Sequence, residues 1–151
     1  MPSACSRPII IVWHSGDSDP RSFDIARSAL RSRVEVMDID LPDLVPEKIG
    51  HFDVVLFCGV FYHLRNPFAA LEWLAPVATS LMVVETHMAA LDEARPAMIF
   101  YPGAEVSDDP TNWWGPNRPC VEAMLRDVGF TRVEFTPHPR CWDRGIFHAF
   151  R

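Results

Sequence analysis

The sequence has few of the features that mark membrane-bound, secreted or disulfide-stabilised proteins. Its longest apolar runs, at residues 8–13 and 54–62, fall well short of the roughly 20 residues that a membrane-spanning helix needs. The leading segment, residues 1–8, carries one arginine, and the apolar run after it is too short for a secretory signal. The four cysteines form no Cys-x-x-Cys pair, so we expect free thiols. These absences predict a cytoplasmic protein without a membrane partner.

Lysine is almost absent and the net charge is acidic. Lys48 is the single lysine among 14 basic residues, and 20 acidic residues give a formal net charge of −6. This balance disfavours nonspecific polyanion binding, although a local basic groove is still compatible with it. With 48% apolar and 23% charged residues, the composition is typical of a folded globular protein, and 151 residues suit one domain.

The common motifs of several enzyme classes are missing. We find no Gly-Lys-Ser/Thr phosphate loop, no Gly-x-Ser-x-Gly elbow and no His-Glu-x-x-His helix, which excludes the usual NTPase, esterase and zinc-protease readings. His138, Cys141 and His148 have no matching fourth ligand and fit no closed zinc pattern. We therefore expect no metal site.

The first two thirds of the chain alternate between strand and helix patterns. Apolar runs bounded by turn residues predict strands, and apolar residues at helical spacing between them predict helices. Residues 52–59 form a continuous apolar run that ends at a glycine, which predicts a central strand covered on both faces. The alternation predicts an α/β fold with an open, mostly parallel sheet, whose ligands bind at the carboxyl ends of the strands. The predicted strands are 9–13, 34–39, 52–59 and 80–86, with helices at 21–31 and from Asn66-Pro67 onward.

The last third begins irregularly and then becomes regular. Residues 88–118 contain four prolines and two adjacent tryptophans with little periodicity, which predicts a lid or insertion. A helix is predicted over 119–128, ended by Gly129. Strands are predicted at 132–135 and 146–150, paired antiparallel at the edge of the sheet.

Four segments together resemble the core of class I S-adenosylmethionine (SAM) methyltransferases. More narrowly, they resemble the branch that includes the tRNA wobble-uridine carboxymethyl transferase. The resemblance spans about residues 20–135 and implies a Rossmann-like fold with S-adenosyl-L-methionine as cofactor. The segments are 52–67, 81–87, 112–117 and 124–130.

One hallmark of that family is not found in the sequence. The family opens with a strand and a glycine-rich turn, roughly Asp-x-Gly-x-x-x-Gly, whereas residues 9–30 fit its second strand and helix better. We therefore expect a single methyltransferase-like domain, residues 1–151, that lacks its first β-α unit. A truncated gene, a diverged chain or a strand supplied by another subunit would each explain this. The strand edges left open predict a homodimer.

The resemblance implies cofactor contacts at the ends of three strands. Asp17 would bond the ribose hydroxyls, Asp40 and the amide of Leu41 the adenine, while Cys58 and Gly59 would leave room for the methyl donor. Structural roles are the alternatives. Asp17 could instead form a turn or cap a helix, and Asp40 could be a solvated acid in a loop. Cys58 and Gly59 could instead serve tight packing of the strand. The predicted cofactor site requires the strand ends at Asp40, Gly59 and Glu85 to converge.

Residues after the predicted strands are candidates for catalysis and acceptor binding. Tyr62 and His63 are the catalytic candidates, with His63 either a base near the acceptor or a partner of a backbone carbonyl. Indole rings suit stacking of a planar acceptor, although strand capping and anchoring of the lid are alternative roles. The substrate-binding candidates are Glu85, His87, Tyr101, Asn112, Trp113 and Trp114.

The sequence therefore predicts a SAM-dependent methyltransferase-like protein that acts on a small molecule or a nucleobase. RNA is a less favoured acceptor, because the chain has no basic cluster. A non-catalytic binding or assembly partner, which keeps the fold and has lost SAM binding, is the alternative.

Overall fold

The computed structural model describes residues 10–13, by their backbone, and residues 21–151. The chain divides into two compact units between Leu44 and Val45.

The first unit contains a parallel strand pair and a helix. Strand β1 (Ile10–Trp13) pairs in parallel with β2 (Glu35–Asp38), and helix α1 (Arg21–Ala29) lies between them in the chain. Asp24 in the first turn of α1 and Arg27 in its last turn both complement the helix dipole. A short 3-10 helix follows at Leu41–Asp43. These elements match the predicted strand, helix and strand.

The second unit is built on a four-stranded mixed sheet, in the order β3, β4, β8, β7. Strands β3 and β4 are parallel, whereas β8 is antiparallel to both β4 and β7. The α/β class and the antiparallel pairing of the two C-terminal strands are thus confirmed. The strands are β3 (Phe52–Cys58), β4 (Ala78–His87), β7 (Arg132–Pro137) and β8 (Arg144–Phe150).

Strand β3 lies at the edge of this four-stranded sheet, not at its centre as the sequence suggested. Phe57 is 5% exposed, while Val54 and Leu56, which point to the opposite face, are 51% and 71% exposed. An unbroken apolar run does not say which face packs, because no polar residues alternate with the apolar ones. Among the described residues only β4 pairs with β3, so a dimer through this edge stays a prediction.

Three helices accompany this sheet, and the two longer ones begin at asparagine caps. Helix α3 (Pro67–Leu74) begins after Asn66, whose side chain accepts a hydrogen bond from the amide of Ala69, as Asn66-Pro67 predicted. Helix α4 packs against β7 and β8 and is followed by Gly129 at φ +99°. No helix in the described ranges is both long and apolar enough to cross a bilayer. The other two helices are α2 (Pro46–Ile49) and α4 (Arg118–Asp127).

The irregular segment contains one strand pair that the sequence did not reveal. Strands β5 (Met98–Phe100) and β6 (Trp114–Pro116) pair antiparallel, but each has three residues, too few to show a periodic pattern. Asn117, fully buried at the start of α4, fastens this segment. Its Oδ1 accepts from the amides of Ala97 and Cys120, both at 3.0 Å. Its Nδ2 donates to the carbonyls of residues 93 and 95 at 2.9 and 2.7 Å.

The Asn117 contacts give a stability prediction. Asn117→Ala should lower the free energy of unfolding by about 3 kcal/mol, because it removes a helix cap and leaves several partly buried backbone groups without their partner. Urea unfolding followed by circular dichroism measures this. Asn66→Ala, which removes a single cap bond, is the matched control and should cost about 1 kcal/mol. Equal losses in the two variants would contradict the fastening role of Asn117.

Candidate functional site

The carboxyl ends of β3 and β4 lie side by side. Cys58 is in register with Glu85, and the amide of Gly59 donates to the carbonyl of Glu85 at 3.0 Å. Gly59 has φ +72°, the left-handed region that favours glycine, and a Cβ built on it would lie 4.0 Å from Glu85 Oε2. The backbone at this strand end is thus free of side-chain bulk. Two of the three predicted strand ends are neighbours.

Arg144 completes this end of the sheet. It is the first residue of β8, and because β8 runs antiparallel to β4, it lies in register with His87. Its Nε and Nη2 donate to the two carboxylate oxygens of Glu85, the second at 2.8 Å, and its Nη1 donates to the Tyr62 hydroxyl at 3.1 Å. The side chains of Glu85 and Arg144 are 14% and 24% exposed. Glu85 and Tyr62, both predicted site residues, therefore share one guanidinium.

The charges in this group reinforce each other. The hydrogen bond from Arg144 holds the pKa of Glu85 below its ordinary value, and Glu85 in turn raises the pKa of Arg144. Burial raises the pKa of the Cys58 thiol, and the nearby negative charge of Glu85 raises it further. Because the thiolate is the nucleophilic form, this shift makes Cys58 a poor nucleophile.

His87 lies deeper and holds internal partners. It is 8% exposed, with Nδ1 3.5 Å from Asp143 Oδ2 and Nε2 3.4 Å from the Tyr101 hydroxyl. Burial lowers the pKa of His87 and outweighs the opposing effect of Asp143, which favours the neutral imidazole. Burial also raises the pKa of the Tyr101 hydroxyl. The predicted substrate residues His87 and Tyr101 thus contact each other.

His63 is hydrogen-bonded to the irregular segment. Its Nδ1 lies 3.0 Å from both the carbonyl oxygen and the hydroxyl of Thr111. The carbonyl partner is one of the two roles that the sequence suggested for this histidine. Its ring centroid is 4.1 Å from that of Tyr62, so the two predicted catalytic side chains are adjacent.

An aromatic pocket of about 70 Å³ lies next to these residues and is lined by Arg65, Phe100, Trp113 and Trp114. The rings of Phe100 and Trp113 are within 10° of parallel with centroids 6.3 Å apart, and Arg65 Cζ lies 3.9 Å from the Trp113 centroid. The amide of Trp113 donates to the carbonyl of Tyr62 at 2.9 Å, which connects the pocket to the strand ends.

The remaining candidates belong to a loop of the second unit and to the first unit. Asn112 is 4% exposed and its Nδ2 donates to the carbonyl of Val106 at 2.8 Å, which suits a role in holding the loop. Asp40 and Leu41 lie in the first unit, where their carbonyls accept from the amides of residues 43 and 44 in a 3-10 turn. Asp17 lies outside the described residues. The cofactor roles of Asp17, Asp40 and Leu41 stay predictions.

Sequence reasoning missed Arg144, Arg65 and Thr111. Arg144 lies between the two predicted C-terminal strands, and its position depends on β8 inserting between β4 and β7, which no local pattern encodes. Arg65 lies within the matched segment 52–67, and a cation that follows a strand end is a usable signal for anionic ligands.

The ion pair of Glu85 predicts a pH dependence of stability. A carboxyl whose pKa is lowered by folding stabilises the protein above its unfolded pKa, and this stabilisation is lost as the pH falls through the folded pKa. Glu85→Gln should therefore lower the free energy of unfolding at pH 7 by about 1–3 kcal/mol. It should also flatten the loss of stability below roughly pH 4. Urea titrations at pH 7, 5 and 3 measure both effects.

Glu134→Gln is the matched control for this substitution. Glu134 pairs with Arg132 at the surface, and their side chains are 53% and 59% exposed. Its replacement should change the free energy of unfolding by less than about 1 kcal/mol. If Glu85→Gln behaved like this control, the Arg144 pair would not stabilise the fold.

Comparison with known proteins identifies relatives. No protein-family profile matches the chain. The tRNA U34 carboxymethyltransferase of Syntrophotalea carbinolica is 30% identical over 114 residues, which cover 74% of this chain and 32% of that protein. The protein of the same name from Pseudomonas putida is 31% identical over 104 residues, covering 68% and 30%. The chain thus matches about a third of the length of these relatives.

Solved structures share the fold. The N-terminal domain of EvdMO1 with SAH bound has a TM-score of 0.68 at 19% identity and is matched over 95% of this chain and 63% of that one. Magnesium protoporphyrin IX methyltransferase from Synechocystis, with bound SAH, has a TM-score of 0.67 at 18% identity, over 95% and 64%. The resemblance read from the sequence is confirmed: the chain has the class I SAM-dependent methyltransferase fold and lies near the tRNA U34 carboxymethyltransferase branch in sequence.

Proposed function

We propose that this chain is a SAM-dependent methyltransferase whose acceptor is a nucleobase in RNA. The observation that carries the proposal is the bare, left-handed Gly59 backbone beside Glu85, with the aromatic pocket connected to it through Tyr62. A backbone without a side chain at a strand end of this fold suits close approach of a cofactor. The names of the curated relatives favour an RNA acceptor over a free small molecule.

The residues at the strand ends fit the cofactor. A side chain at Gly59 would occupy the space next to Glu85, and the small Cys58 precedes it, so a bulky donor can lie against this backbone. When bound, SAM supplies a methyl group activated by a sulfonium. By the resemblance, Asp17, Asp40 and Leu41 would bind the adenosine part. These three contacts are part of the proposal.

The protein's own contribution is to align the acceptor and exclude water. Methyl transfer is an in-line displacement, so geometry supplies much of the acceleration. Phe100 and Trp113 offer ring faces to a planar base, and Arg65 next to them offers a cation to a phosphate. This local cation compensates for the acidic net charge near the acceptor. A base stacked here would lie close to Tyr62 and His63.

A carboxymethyl donor is a second candidate, because the curated relatives are named carboxymethyltransferases. Arg144 Nη1 donates to the Tyr62 hydroxyl and not to Glu85. A cation and a hydroxyl therefore lie together at the strand ends, where they could bind the carboxylate of such a donor. Carboxy-SAM and SAM tested side by side in one transfer assay separate the two candidates.

The proposal also includes a non-catalytic alternative, a homodimer and a cytoplasmic location. A non-catalytic partner that keeps the fold would bind neither SAM nor its demethylated product. A homodimer is supported by the exposed Val54 and Leu56 on β3, which pairs on one side among the described residues. The cytoplasmic location is part of the proposal too.

Calorimetry with S-adenosylhomocysteine tests the cofactor site. The full chain should bind in the micromolar range, and Gly59→Ala should weaken binding at least about tenfold, which corresponds to about 1.4 kcal/mol. Gly50→Ala is the matched control, because Gly50 has φ +78° with nothing within 4 Å of an added Cβ. Alanine introduces similar backbone strain at both positions. A difference between the two variants in affinity for S-adenosylhomocysteine would therefore come from a binding site at Gly59. Absence of binding to the unaltered chain would favour the non-catalytic partner.

Transfer of radiolabelled methyl to total tRNA tests the acceptor. Trp113→Ala should raise the KM for tRNA by roughly tenfold, because stacking of a base on an aromatic ring contributes about 1–3 kcal/mol. Trp142→Ala is the control, since Trp142 is 84% exposed on the β7–β8 turn. Equal KM values for tRNA in the two variants would show that the aromatic pocket does not bind the acceptor.

A further inference from the structure

The two ring nitrogens of His63 have different surroundings. Nδ1 faces two oxygens of Thr111, the carbonyl and the hydroxyl, each at 3.0 Å. Nε2 has no hydrogen-bond partner among residues 21–151, and the side chain is partly exposed. One nitrogen is thus held by the protein, and the other is available to a ligand.

The partners of Nδ1 determine where the hydrogen lies. A backbone carbonyl can only accept, so this contact requires a hydrogen on Nδ1. The Thr111 hydroxyl donates its one hydrogen to Asp109 Oδ1 at 2.6 Å, so it too can only accept from His63. Placing the hydrogen on Nε2 would turn the Nδ1 lone pair toward two oxygen lone pairs. Both neighbours therefore favour the same tautomer.

Asp109 keeps this arrangement in place. Its Oδ1 also accepts from the Thr111 amide at 2.8 Å, so one carboxylate oxygen fixes both the backbone and the hydroxyl of Thr111. These two hydrogen bonds lower the pKa of Asp109, which keeps it an acceptor at neutral pH. The chain of contacts runs from Asp109 through Thr111 to His63.

We propose that Asp109 and Thr111 fix His63 as the Nδ1–H tautomer, so that Nε2 serves as the base for the acceptor nucleophile. The base role rests on the proposed function. His63 is adjacent to Tyr62, which reaches the strand ends through Arg144, and Arg65 of the aromatic pocket follows two residues later. In this assignment His63 is a catalytic residue, and Asp109 and Thr111 are positioning residues.

Methyl transfer with His63 as the base needs no reactant besides SAM and the acceptor. The acceptor carries an O–H or N–H group, and its proton moves to His63 Nε2. The freed electron pair forms a bond to the methyl carbon of the sulfonium donor, whose carbon–sulfur bond breaks to leave a neutral thioether. The imidazolium then returns its proton to water.

Long-range proton–nitrogen NMR spectra of the full chain, labelled with ¹⁵N-histidine, test the tautomer directly. At about pH 9, where imidazole is neutral, His63 Nδ1 should be protonated and Nε2 unprotonated. The His63 signals are assigned by their loss in His63→Gln. A ring protonated on Nε2 would overturn the proposal whether or not the protein is active.

Variants test the positioning role. Thr111→Val removes the hydroxyl and should shift His63 toward a mixture of tautomers, and Thr111→Ser should restore the single form. Thr131→Val is the matched control, because the Thr131 hydroxyl donates to the carbonyl of Phe150 elsewhere in the unit. A Thr111→Val spectrum identical to that of the unaltered chain would contradict the role of the hydroxyl.

The transfer assay with SAM and total tRNA tests the base role. His63→Gln should lower kcat on the order of 100-fold with KM nearly unchanged. Thr111→Val should lower kcat roughly two- to tenfold, with recovery in Thr111→Ser. If the unaltered chain transfers methyl and His63→Gln is equally active, the base role fails while the proposed function stands. If the unaltered chain transfers nothing, both the function and the base role fail, and the NMR result alone decides the tautomer.

Discussion

The ion pair between Glu85 and Arg144 is the interaction on which this end of the second unit depends. It connects the end of β4 to the start of β8 through two hydrogen bonds. The third nitrogen of the guanidinium, Nη1, donates to the Tyr62 hydroxyl. Tyr62 in turn accepts from the amide of Trp113 through its carbonyl. One partly buried ion pair therefore sets the relative positions of the strand ends, the catalytic candidates and the aromatic pocket. A bidentate carboxylate–guanidinium pair suits this role because it fixes orientation as well as distance.

Local signals in the sequence were sufficient for most of the helices and strands. Asn66-Pro67 marked the start of α3, Gly129 followed the end of α4, and the alternating residues of β7 and β8 predicted their antiparallel pairing. The faces of β3 were not predictable, because its unbroken apolar run carries no polar marker. Arg144 was missed for a different reason: its place beside Glu85 follows from the order of strands in the sheet, which arises from contacts between residues 59 positions apart.

The candidate site shows the same division between local and long-range information. Tyr62, His63 and Glu85 were found because polar residues stand at or just after the ends of apolar strands. Their partners Thr111 and Arg144 come from loops and strand starts far along the chain. The cofactor contacts implied for Asp17, Asp40 and Leu41 rest on family resemblance. Pattern reasoning therefore locates the functional edge of such a sheet more readily than it locates the groups that orient the functional side chains.

The buried Asn117 has a consequence for how new acceptor preferences can arise. It binds residues 93, 95 and 97 on one side and the first turn of α4 on the other, so it anchors the segment before β5 independently of the loop between β5 and β6. The surface residues 102–108 can then vary in sequence, while the anchoring asparagine and the contacts made by residues 109–113 are retained. Diversification of the binding loop, in nature or in a laboratory library, becomes compatible with an unchanged scaffold.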